Sequence, residues 1–128
     1  MIRLKQIVTT TDLSPSSLPA VQYACELADQ FGATVHLLHV VCHPFAEFAE
    51  QSLQNVGRSF DECEQEHLQA AEEELSQIET NPLSDSERIV RSTRVGVPRT
   101  EILQYVEDSE ADLLVMGTHG RTGLRHVL

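Results

Sequence analysis

The chain has 128 residues, enough for one domain with a buried core, and its 41% hydrophobic and 23% charged content is that of a globular protein. A net charge of −11 without a basic stripe argues against nucleic acid, whose phosphates call for clustered Lys and Arg. No apolar run is long enough to span a bilayer, and Met1 to Lys5 lacks the features of a secretory signal, so no membrane role and a cytoplasmic location are expected.

Ile2 to Thr9 reads as a short apolar strand with a Thr-rich end. Ser14-Pro15 is a helix-start signal, and Leu18, Val21, Cys25, Ala28 and Phe31 follow at helical spacing as one expected buried stripe. Pro19 moves the regular part of that helix toward Leu18, and Gly32 is its natural stop. Thr34 to Val41 is apolar almost throughout, as a strand covered on both faces should be.

Residues 42–50 read as a connection. A long helical pattern then carries Leu53, Val56, Phe60, Cys63, Leu68, Ala71, Leu75 and Ile78, with Gly57 as a break point. Its eight carboxylates between Asp61 and Glu79 read as a solvated face. Arg88 to Val95 is a less apolar strand, suited to a sheet edge. Gly96-Val97-Pro98 turns into a helix with Ile102, Leu103 and Val106 inward, and Asp112 to Met116 is a fourth strand.

This alternation defines an α/β protein: an open parallel sheet with right-handed crossovers and helices on both faces, in a single domain over residues 1–128. Cys25, Cys42 and Cys63 are odd in number with no close pair. They read as reduced thiols, with Cys25 and Cys63 serving as small hydrophobes.

Ligands of open parallel sheets sit beyond the carboxyl ends of the strands, where strand order reverses. That rule singles out Asp12 after the first strand and Gly117 to Gly123 after the fourth. Asp12 can accept hydrogen bonds from a ribose diol, hold a metal beside phosphates, or cap the helix at Ser14. Gly117 and Gly120 let the backbone approach an anion, or simply make a turn; His119 and Arg121 can add donors. His36 and His39, three apart on a strand, point to opposite faces and do not form one metal site. Neither an acyl-transfer elbow nor the acidic cluster of a phosphoacceptor domain is present.

Ile7 to Ser14 (IVTTTDLS), His36 to Val41, Gly96-Val97-Pro98 and Ala111 to Gly123 (ADLLVMGTHGRTG) together resemble the universal stress protein family, in order and along the whole chain. The resemblance implies a Rossmann-like domain, commonly a homodimer, in cytoplasmic stress responses. Its nucleotide-binding branch implies ATP, with Mg²⁺ as a companion, between the ends of the first and fourth strands. Asp12 would then contact ribose, Thr10 and Thr11 would line the entrance, and Val40 would meet adenine through its backbone. Met116, Gly117 and Gly120 would form the wall and the phosphate turn. Binding is expected, with at most slow ATP hydrolysis. The other reading is a member of the family that binds no nucleotide and serves as an interaction module for an unknown protein partner. Thr10 stands where the family carries proline. The second half of its G-x-x-G … G-[Ser/Thr] motif would fall past Leu128, so the final helix, fifth strand and usual dimer contact are expected to be missing.

Overall fold

The structure is a computed structural model that describes residues 2–42, 60–83 and 86–117, with backbone alone at 60–63 and 86. The strands are β1 (Gln6–Thr10), β2 (Thr34–Cys42), β3 (Ile89–Gly96) and β4 (Leu113–Val115). The helices are α1 (Leu18–Phe31), α2 (Phe60–Ser76) and α3 (Pro98–Asp108). The strands form one parallel sheet in the order β3-β2-β1-β4. β3 is an edge strand, as its weaker apolar pattern suggests.

The sheet buries a different cluster on each face. Ile7, Val35 and Leu37 meet Val21, Cys25 and Ala28 of α1 and Leu75 of α2. On the other face Val8 and Leu38 meet Ile102 and Tyr105 of α3. The period-2 alternation of β1 and β2 divides their side chains between these layers. Burial pushes the Cys25 thiol up to about 11, which leaves it an uncharged core group at neutral pH.

Local signals set the helix boundaries. A 3₁₀ turn at Pro15–Ser17 precedes α1, Pro19 falls in the first turn where its missing N–H costs nothing, and Gly32 ends the helix with φ 67°. β1 begins at Gln6, not Ile2. Its start is fixed by the Asp112 carboxylate, which accepts the N–H groups of Lys5 at 2.7 Å and Gln6 at 2.9 Å. These backbone donors, Gln6 first, hold the Asp112 carboxyl below its ordinary range.

The expected apolar stripes need correction at their ends. Leu18 and Phe31, the first and last residues of α1, are 44% and 43% exposed. In α3, Leu103 is 57% exposed and Tyr105 is the buried residue instead. The tyrosine enters the core because its hydroxyl finds partners there, His36 Nδ1 at 2.8 Å and Ser92 Oγ at 2.9 Å. The expected Leu53, Val56 and Gly57 features lie outside the described residues, as does the Cys63 side chain. The carboxylates of Glu72, Glu73 and Glu74 lie on exposed positions of α2. Among the described residues no helix is long and apolar enough to cross a membrane.

Candidate functional site

The strand order reverses between β1 and β4. The chain leaves β1 through α1 for β2 on one side, whereas α3 carries it back to β4 on the other. A crevice at the carboxyl ends of β1 and β4 follows from this connectivity, and the turn after β1 sits at its mouth.

That turn is tightly braced. Thr11 is buried; its N–H donates to the Leu38 carbonyl at 2.9 Å and its hydroxyl pairs with Ser17 Oγ at 2.6 Å. The same hydroxyl accepts the Leu13 N–H at 3.0 Å. Asp12 Oδ1 accepts the Ser14 N–H at 2.9 Å and also the Ser14 hydroxyl. Between them Leu13 adopts φ 68°, a left-handed conformation that costs a non-glycine residue about 1–2 kcal/mol. Packing of the Leu13 side chain against the α1-side core offsets that cost.

The site residues named from the sequence distribute as follows. Thr10, half-buried, ends β1 and shares the α3-side face with Val8. Val40 near the end of β2 and Met116 just after β4 pack against the α3-side cluster. Thr11 points inward and braces the turn, and Asp12 organises the step into Ser14. Gly117 lies beside α1: a Cβ placed on it would come no closer than 3.9 Å to the Ala20 Cβ or the Ser16 carbonyl. His119, Gly120 and Arg121 lie outside the described residues.

A cavity of about 460 Å³ opens beside β4, lined by Ser16, Pro19, Ala20, Tyr23, Val115, Met116 and Gly117. Of the residues named from the sequence, Met116 and Gly117 reach this cavity; Thr10, Asp12 and Val40 do not line it. The link back to Asp12 runs through hydroxyls. Ser16 Oγ lies 2.9 Å from Ser14 Oγ, which in turn binds the Asp12 carboxylate. A second cavity of about 440 Å³ separates the start of α1 from the end of α2, with Leu13, Leu18, Gln22, Glu74 and Ile78 on its walls. No local signal in the sequence marks it: Leu18 reads there as a buried helix position, whereas in the structure it lies on the cavity wall, 44% exposed.

The two β2 histidines do face opposite ways. His36 joins Tyr105 on the α3 side, whereas His39 Nδ1 donates to the Thr11 carbonyl at 2.8 Å. Burial lowers the pKa of His36. Among the described residues no group of three or more His, Cys, Asp or Glu side chains is arranged to hold a metal ion.

Among the described residues, a four-stranded parallel sheet with helices on both faces and a reversal of strand order between β1 and β4 defines a Rossmann-like α/β protein. The universal stress protein family model matches residues 3–128, and the chain belongs to that family. It is 38% identical to universal stress protein MJ0531 of Methanocaldococcus jannaschii, over 97% of this chain and 70% of that protein. It is 33% identical to universal stress protein A homolog 1 of Coxiella burnetii, over 97% of this chain and 83% of the relative. Among solved structures, UspA of Lactobacillus plantarum superposes with a TM-score of 0.59 at 19% identity, covering 94% of this chain and 81% of that one. A universal stress protein in complex with cAMP superposes with a TM-score of 0.53 at 20% identity, over 88% and 72% of the two chains. These two likenesses speak to the fold.

Proposed function

We propose that this chain is a cytoplasmic stress-response protein that binds an adenine nucleotide, ATP, in the crevice at the carboxyl ends of β1 and β4. The observation that carries the reading is the reversal of strand order between those two strands, with Asp12 following one and Gly117 following the other.

The residues present fit a nucleotide. Gly117 is required neither by its backbone angle nor by packing among the described residues, since a Cβ would meet only ordinary contacts there. Close approach of a ligand to the backbone gives that glycine a purpose. A carboxylate has about four acceptor sites, so Asp12 can keep its bonds to the Ser14 N–H and hydroxyl and still receive a ribose hydroxyl. Thr10, Val40 and Met116 supply apolar and backbone surface for the base, and Gly120, His119 and Arg121 supply donors for the phosphates. The chain's net charge of −11 repels a polyanion in bulk, so affinity must come from such short-range donors. Mg²⁺, where it accompanies ATP, would lean on phosphate oxygens and water. The reading is binding, with at most slow hydrolysis, in a homodimer.

The cAMP held by one structural relative makes the adenine ring, not the triphosphate, the shared chemistry to test. Equilibrium titration with ATP, ADP, AMP, cAMP and GTP ranks the candidates. Preference for the adenine series supports the reading. Equal weak binding of all five, or of none, moves the assignment to a second reading, an interaction module that binds no nucleotide. The apolar cavity beside β4, rimmed by the 58% exposed Tyr23, favours that alternative.

A further inference from the structure

We propose that His39 is a positioning residue for the nucleotide site, setting the direction in which Asp12 presents its carboxylate. The inference rests on the ATP reading above and adds to it a residue from the neighbouring strand.

The Thr11 carbonyl belongs to the peptide that joins Thr11 to Asp12, so its orientation sets the plane that carries the Asp12 N–H and Cα, the base from which the Asp12 side chain projects. Two anchors hold Thr11 from other directions: its N–H on the Leu38 carbonyl at 2.9 Å and its hydroxyl on Ser17 at 2.6 Å. The carbonyl itself accepts from His39 Nδ1 at 2.8 Å. A carbonyl cannot donate, so Nδ1 carries the proton, and the ring takes the place of a strand amide just where β1 stops being a strand. The next residues are strained, with Leu13 at φ 68°. A turn in that conformation persists only where its surroundings hold it. His39 adds a side-chain brace from β2, the strand beside the turn, to the backbone bond that the Leu38 carbonyl of the same strand already makes.

The role is one of geometry, carried by one N–H donor close to Cβ. Asparagine offers an amide N–H at nearly the same reach; leucine has the same shape without a donor. The expected results follow. His39→Leu loses about fivefold to tenfold in ATP affinity, the equivalent of one buried hydrogen bond, and His39→Asn restores most of it. The decisive readout is the preference for ATP over 2′,3′-dideoxy-ATP, which a general loss of stability would leave unchanged. If Asp12 reads the ribose and His39 aims it, that preference shrinks in His39→Leu and returns in His39→Asn. Should the leucine variant fail to fold, His39→Asp serves instead, since its carboxylate repels the Thr11 carbonyl and must also reduce the preference.

Titration of the wild type, His39→Leu and His39→Asn with both nucleotides decides the matter. Wild-type binding with unchanged affinity and ribose preference in His39→Leu overturns the role of His39 and leaves the ATP site standing. Absence of nucleotide binding in the wild type overturns the ATP reading and this inference with it.

Discussion

His36 Nδ1 and the Tyr105 hydroxyl lie 2.8 Å apart beneath α3, the ring planes set edge-on at 69°. The pair continues in both directions. Ser92 Oγ lies 2.9 Å from the same tyrosine oxygen, and His36 Nε2 lies 2.7 Å from Gln6 Oε1. One hydrogen-bonded chain thus joins β3, α3, β2 and β1. With the amide oxygen of Gln6 accepting, Nε2 is protonated and Nδ1 receives the tyrosine hydroxyl, which describes a neutral imidazole.

This arrangement gives stability a pH dependence with a defined sign. Burial lowers the His36 pKa below its ordinary 6.5, so between the folded and unfolded values the unfolded chain binds the extra proton. Stability is fully present above the unfolded value and falls as pH drops below about 6.5 toward the folded pKa. Urea unfolding across pH 8 to 5 checks it. In Tyr105→Phe the midpoint falls at every pH, by about 1–2 kcal/mol at neutral pH for a buried hydrogen-bonded hydroxyl.

Asp112 contributes with the same sign in a more acidic range. Its carboxylate ties down the start of β1, and the two N–H bonds depress its pKa. Asp112→Ala should lower the melting temperature at neutral pH. The difference from wild type narrows as pH falls from the ordinary aspartate value through the depressed one, because the wild type then loses its charge. Thermal melts of both chains between pH 7 and 2.5 test this.

Thr9 offers a stabilising change. Its side chain is 0% exposed, and its hydroxyl finds no hydrogen-bond partner among the described residues. Replacing it with valine keeps the β-branched shape and removes the stranded polar atom. Thr9→Val should raise stability by about 1 kcal/mol, read as a higher urea midpoint with unchanged slope.

Gly117 separates folding from binding. Gly117→Ala meets only contacts of 3.9 Å or more among the described residues, so its melting point should stay near that of the wild type. The added methyl would nonetheless stand between backbone and ligand, and nucleotide affinity should fall about tenfold or more, a cost of about 1.4 kcal/mol. A variant that loses stability as well as binding would show that packing, not ligand approach, requires this glycine.

Features written in neighbouring residues were legible in the sequence. Pro19 and Gly32 bound α1 because both act through their own backbone angles. The opposite faces of His36 and His39 followed from the period of a strand, and the rule that ligands sit beyond the carboxyl ends of parallel strands made Asp12 and Gly117 worth naming; the β1–β4 pairing itself came from the structure. Features that depend on what lies across space were not legible. Whether Leu18 and Phe31 are covered depends on what packs against the two ends of α1, which residues distant in sequence decide. Tyr105 enters the core against hydrogen-bond partners, His36 and Ser92, that lie 69 and 13 residues away in sequence. The brace from His39 to Thr11 spans 28 residues and has no local signature at all.

Calorimetric titration of ATP into the wild type and Asp12→Ala asks whether Asp12 holds the ribose of a bound adenine nucleotide. Saturable 1:1 binding by the wild type is expected, with a loss of about tenfold or more in the variant, the range for removal of a charge-assisted hydrogen bond. Equal ATP affinity in the two chains would contradict that role.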